Sequence, residues 1–139
     1  MNRLEEICDD HSIHKLGYHL IWCTKYRHPI LVNGVDDTVK RVIAQTCGLN
    51  NWICKEIEVM PDYVHLFIQA PHTVAPADIV HTLKSTSAIA VFYAHPKLKG
   101  QKFWGTGLWS RGAYYGSDGC ISQESIIKYI QNQKSKGKL

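Results

Sequence analysis

The chain has 139 residues, 45% of them apolar and 20% charged, with a formal net charge of +4. That length suits one domain with its own core, and the composition is that of a globular protein rather than a disordered or fibrous one. No apolar run is long enough to span a membrane, no signal-peptide pattern opens the chain, and so mild a charge permits a polyanion partner without demanding one.

The five cysteines are Cys8, Cys23, Cys47, Cys54 and Cys120. None form a CxxC pair, which argues against a zinc site or disulfide framework and for reduced thiols in a cytosol. Residues 1–15 show no period and read as a loose arm. Tyr18 to Tyr26 reads as the first strand, with His19, Ile21, Cys23 and Lys25 on one side and Leu20, Trp22, Thr24 and Tyr26 on the other. Its end, Lys25-Tyr26-Arg27-His28, has two readings. It is a solvated strand end, or it contacts nucleic acid, with cations on phosphates and rings stacked on bases.

Asn33-Gly34 marks a turn, and Val35 to Thr46 carries a helical apolar stripe of Val35, Val39, Val42, Ile43 and Thr46, with Gly48 as its stop. Trp52 to Glu58 and Asp62 to Ile68 read as strands joined by a turn at Met60-Pro61-Asp62. On the second strand Tyr63, His65 and Phe67 share one face, and Val64, Leu66 and Ile68 the other, which is core. A lone strand histidine is usually a partly buried polar residue, so His65 gains meaning only from what accompanies it.

A second helix starts at Ala75-Pro76-Ala77-Asp78 and runs to about Ala94. Ile79, Val80, Leu83, Thr86 and Ala90 form its expected inner face, and Lys84 to Ser87 a solvated one. Residues 96–112 read as a loop that holds Lys97, Lys99 and Lys102 among Gly100, Gly105 and Gly107, together with the aromatic residues Phe103, Trp104 and Trp109. That pattern suits single-strand binding, and equally a loop pinned to the core. Arg111 to Cys120 is a weak strand bracketed by Gly112, Gly116 and Gly119. The glycines suggest a flexible joint. Ser122 then caps a last helix running to Gln133, followed by a basic tail. On that helix Ile126, Ile127 and Ile130 form the packing stripe. Tyr129 and Gln133, one turn apart, share a neighbouring face, where they can bring a nucleophile and a metal ligand to a site built elsewhere.

Lys25-Tyr26-Arg27, Met60-Pro61-Asp62-x-Val64-His65-Leu66 and Tyr129-Ile130-x-x-Gln133 resemble the small single-tyrosine transposases of the HUH superfamily, the TnpA type of IS200-like insertion sequences. The resemblance spans residues 16–135. It implies an α+β, ferredoxin-like βαββαβ fold: an antiparallel sheet over residues 16–120 with helices on one face. A tyrosine helix over 121–135 and a basic tail over 136–139 complete one domain. It implies a cytoplasmic homodimer acting on single-stranded DNA with subterminal hairpins, without a small-molecule substrate. Tyr129 matches the nucleophile, which forms a 5′-phosphotyrosine intermediate. His65 and Gln133 match two ligands of a Mg²⁺ or Mn²⁺ ion, and Lys25, Tyr26 and Arg27 fall at the DNA-contacting strand end.

One position departs from the family pattern. Tyr63 stands where the first histidine of the metal pair is expected, and a neutral phenol is a poor ligand for such ions. Three outcomes stand: weaker metal binding through His65, Gln133 and waters; recruitment of Asp62 or a Tyr63 phenolate; or a hairpin or single-strand DNA-binding protein that does not cut. A dimeric α+β protein using Tyr129 and His65 only for packing is a further class.

Overall fold

The structure, a computed structural model, describes residues 15–98, 100, 107–117 and 127–133. Four strands are built: β1 (Lys15–Cys23), β2 (Ile53–Met60), β3 (Tyr63–Pro71) and β4 (Tyr114–Ser117). They form one sheet in the order β2-β3-β1-β4, and every neighbouring pair is antiparallel. Helix α1 (Val35–Leu49) joins β1 to β2, and α2 (Pro76–Ala94) follows β3. This is the ferredoxin-like βαββαβ arrangement, and residues 127–133 add a further helical segment.

Side-chain alternation decides which sheet face the helices cover. Leu20 and Trp22 of β1 and Val64, Leu66 and Ile68 of β3 point one way, into a core shared with Val39 and Ile43 of α1 and Ile79 and Leu83 of α2. Each such side chain contributes on the order of 1.5–3 kcal/mol by leaving water. The helices are tied to each other by the Thr46 and Thr86 hydroxyls, 3.1 Å apart. The opposite face carries His19, Ile21 and Cys23 of β1, with Tyr63, His65 and Phe67 of β3 paired beside them.

Several boundaries differ from the sequence reading. The first strand ends at Cys23 rather than Tyr26, because the chain leaves the sheet at a short 3-10 turn over Lys25–Arg27. Tyr26 and Arg27 adopt φ of 56° and 53°, which no strand allows. Helix α1 passes through Gly48 to Leu49. Its left-handed stop is Asn51 (φ 60°), an amide residue that tolerates that region. Gly34, at φ 100°, supplies the left-handed residue that begins α1.

The buried stripe of α2 is Ile79, Val80, Leu83, Ser87 and Val91, so Ser87 and Val91 replace Thr86 and Ala90. Ser87 is buried because its hydroxyl donates to Leu83 O at 2.6 Å and accepts from Trp109 Nε1 at 3.1 Å. Lys84 is not part of a solvated face: its ammonium donates to Ser110 O and Gly112 O at 2.8 and 2.9 Å. Trp109 sits edge-on to Trp22, so this part of the loop is pinned to the core. The N-terminal arm over 1–14, Lys99, residues 101–106 with Phe103 and Trp104, the Gly119 end of the joint, the Ser122 cap and the tail lie outside the described residues.

Candidate active site on the sheet face opposite the helices

Strand register places the chemistry in rows. Tyr114 of β4 pairs with Ile21 of β1, Ile21 pairs with His65 of β3, and His65 pairs with Glu58 of β2. Directly paired residues project to the same face, so Tyr114, Ile21, His65 and Glu58 form one transverse row. The next row contains Cys23, Tyr63 and Met60. The row on the other side contains Gly116, His19, Phe67 and Glu56.

His65 sits in the middle of this face. Its Nδ1 is 3.9 Å from Glu58 Oε1, and its Nε2 is 3.0 Å from His19 Nδ1. Burial holds its pKa below the usual histidine value; His19 lowers it further, while Glu58 opposes the shift. His65 is therefore a neutral imidazole at pH 7, as a metal ligand must be. Tyr63 lies on the same face, but burial and the carboxylates of Glu58 and Asp62 raise its pKa. Both effects favour the protonated phenol.

The tyrosine helix docks beside these rows. The Tyr129 ring meets the Tyr114 ring edge-on, 6.0 Å between centroids. Tyr114 and His65 are two strand spacings apart, about 10 Å. The Tyr129 hydroxyl is buried and has no hydrogen-bond partner among the described residues. Burial, followed by proximity to Cys23 and Tyr115, pushes its pKa far above that of an ordinary tyrosine. Buried polar groups without partners are uncommon and costly.

Among the described residues, Arg27 and Ser110 tie the helix to the rest of the fold by hydrogen bonds. Arg27 Nη1 donates to Ile130 O at 3.0 Å, while Nε donates to Asp62 Oδ2 at 2.9 Å and Nη2 pairs with the same oxygen. Arg27 thus joins the strand turn to the tyrosine helix. At the helix end, Gln133 is buried. Ser110 Oγ lies 3.2 Å from both Gln133 Oε1 and Cys23 O, and its single proton is divided between them. The Ser110 and Gly112 carbonyls are in turn held by Lys84.

Of the residues singled out in the sequence, the structure puts His65 and Tyr63 on one face and ties Arg27 and Tyr129 to one helix. Gln133 sits against Ser110. Lys25 and Tyr26 are at the adjoining surface: Lys25 Nζ stands 5.7 Å from the centre of the Tyr26 ring, which is exposed. Three residues were missed. His19 was assigned to the correct strand side but given no role; its phase with Cys23 was the available signal. Ser110 and Lys84 had no local signal, because their partners are 23 to 28 positions away in sequence. Among the described residues, no group of three or more His, Cys, Asp or Glu side chains is gathered to hold a metal.

The family pattern described as Transposase IS200 like matches residues 12–133. ISDra2 transposase TnpA of Deinococcus radiodurans is 40% identical over 124 residues, covering 89% of this chain and 88% of that protein. The transposase for insertion sequence element IS200 of Salmonella typhimurium is 23% identical over 129 residues, covering 93% and 84%. The crystal structure of a candidate transposase from Deinococcus radiodurans matches with a TM-score of 0.76 at 41% identity, over 86% of this chain and 92% of that one. A REP-associated tyrosine transposase bound to a REP hairpin shares the fold, with a TM-score of 0.56 at 11% identity over 85% and 64%. With the family pattern matched over residues 12–133 and a relative 40% identical over 89% of the chain, the chain belongs to the IS200-like transposase family.

Proposed function

We propose that the protein cleaves and rejoins single-stranded DNA at hairpin-bearing ends through a tyrosine-linked intermediate. The observation that carries this reading is the buried hydroxyl of Tyr129, which has no hydrogen-bond partner among the described residues, on a helix tied to them through Arg27 and Ser110. A purely structural tyrosine would place its hydroxyl at the surface or on an acceptor. This one is stored, protonated, next to the face that carries His65.

In the proposed step the Tyr129 oxygen attacks the scissile phosphorus. A bond from the phenol oxygen to phosphorus forms, the bond from phosphorus to the 3′ oxygen breaks, and the phenol proton ends on the released 3′ hydroxyl. Rejoining is the reverse, so neither water nor a nucleotide cofactor enters. The docked phenol must first leave its pocket, which requires the Arg27–Ile130 and Ser110–Gln133 contacts to loosen. Lys25 and Tyr26 hold the strand beside the helix by charge and stacking. His65, with its neutral imidazole, and Gln133, with a carbonyl oxygen, are of the types that would hold Mg²⁺ or Mn²⁺. When bound, such an ion polarises the scissile phosphate and offsets its developing charge. A homodimer belongs to the same proposal and is checked by sedimentation at micromolar concentration.

The test is a single-stranded hairpin oligonucleotide labelled at either end, incubated with protein and Mn²⁺ and resolved by denaturing electrophoresis. The expected result is a protein adduct carrying the 3′ label only, because the tyrosine keeps the 5′ phosphate. Retarded migration on a native gel with no adduct at any metal concentration would instead mark a binding protein that does not cut.

A further inference from the structure

We propose that His19 and His65, on neighbouring strands, form the nitrogen pair that holds the divalent cation, with His19 Nδ1 standing in for the imidazole that position 63 lacks. The inference rests on the reading above and names a ligand that reading does not contain.

The geometry is specific. His19 Nδ1 and His65 Nε2 face each other at 3.0 Å across the β1–β3 ladder. Metal–imidazole bonds of about 2.1 Å meeting at a right angle put two nitrogens about 3.0 Å apart, the spacing of adjacent ligands in an octahedron. The ring centroids are 5.2 Å apart, the spacing of a hydrogen-bonded pair. Closing on a shared ion brings them to about 4.6 Å, a change of roughly 0.6 Å with a swing of both rings.

The protons balance without a change in charge. Glu58 lies on the Nδ1 side of His65, so Nδ1 keeps its proton there and Nε2 offers its lone pair. Without metal, His19 Nδ1–H donates to that lone pair. With metal, the His19 proton sits on Nε2, and two lone pairs converge on the ion. Glu58 is then a nearby negative charge rather than a ligand.

The site also has an entrance. The His65 side chain keeps 17% of its surface exposed, whereas His19 is deeply buried against Phe67, 4.7 Å between ring centroids. His19 thus anchors the ion from below, and the positions on the open side are left for waters, Gln133 or a phosphate oxygen. Two imidazoles favour Mn²⁺ over Mg²⁺, which prefers oxygen. Tyr63 lies one row away from this pair, opposite Cys23.

The experiment is pulsed electron paramagnetic resonance of Mn²⁺ on the full chain labelled with ¹⁵N-histidine, without DNA. Two directly bound imidazole nitrogens are expected in the wild type. His19→Gln should leave one and weaken Mn²⁺ binding about tenfold or more. A wild-type spectrum with one bound nitrogen, or none, overturns the proposal without needing any variant to fold. Two nitrogens that persist unchanged in folded His19→Gln overturn it as well. Adduct formation is scored separately. A normal adduct with a one-nitrogen spectrum would sink the His19 assignment and leave the cleavage reading intact. Two nitrogens with no adduct would do the opposite.

Discussion

The two faces of β3 show what the same strand does under different cover. Val64, Leu66 and Ile68 point into the helices, and all three are fully buried hydrocarbon. One residue out of phase, Tyr63, His65 and Phe67 point the other way, where His65 meets His19 and Glu58. The helix-covered face has one task, to exclude water, and any well-packed apolar set performs it. The other face keeps polar groups at hydrogen-bonding distance, and their worth lies in geometry. Stability should therefore follow the first face and chemistry the second.

The largest expected effect breaks chemistry alone. Tyr129→Phe removes an oxygen that makes no hydrogen bond among the described residues. Stability should stay within about 0.5 kcal/mol or rise slightly, and hairpin affinity should stay within about twofold, because it rests on phosphate contacts. Adduct formation should fall by ~10⁴-fold or more, the scale of losing a nucleophile. Melting, native gels and denaturing gels on one preparation check all three.

Next, adjacent residues on β3 separate the faces. Leu66→Ala should cost about 2–5 kcal/mol in urea unfolding, the range for a fully buried leucine. His65→Ala should cost less than about 1.5 kcal/mol and yet lose metal-dependent cleavage. If His65→Ala proves as destabilising as Leu66→Ala, the histidine is a core residue and the contrast between faces fails.

The sequence showed this contrast because period-two alternation is local. The strand pair, the core residues on β1 and β3 and the start of α2 at Pro76 all follow from neighbouring residues. The end of β1 did not. Lys25-Tyr26 continues the alternation on paper, but Thr24 N is committed to Asp62 O and Lys25 N to Leu108 O, bonds made by distant segments. For the candidate site, spacing joined to resemblance singled out His65 and Tyr129. That His19 would touch His65 depends on the β1–β3 register, which a single sequence does not state.

A third change tests the seam between the sheet and the tyrosine helix. Arg27→Ala leaves the Asp62 carboxylate and the Ile130 carbonyl without this partner. The helix should detach more often, speeding trypsin cleavage after Lys128 about tenfold and lowering adduct formation about ten- to a hundredfold. Arg27→Lys should recover little, since an ammonium cannot span both partners as the guanidinium fork does. Lys25→Ala should differ, weakening hairpin binding and reducing its salt slope by about 1 with the helix still docked.

The smallest effect is in pH. The folded state raises the Tyr129 pKa above its unfolded value. Its proton is therefore held in the docked helix while an unfolded chain releases it. The docking contribution is whole below pH 10 and declines as pH rises beyond it. In a tyrosinate absorbance titration of the seven tyrosines, the last to ionise should be Tyr129, and Tyr129→Phe should remove that final step.

The most direct measurement is the position of the DNA on the protein. Tyr129 has competing phenols close by: Tyr114 against its ring, Tyr115 beside it, and Tyr63 on the face of His65. Trypsin cuts after Lys128 and Lys134, isolating Tyr129 as the sole tyrosine of its peptide. Adduct formed on a single-stranded hairpin substrate, trimmed with nuclease and mapped by mass spectrometry, should place the nucleotide on Tyr129. A nucleotide on Tyr63, Tyr114 or Tyr115, with Tyr129 unmodified, would contradict the account.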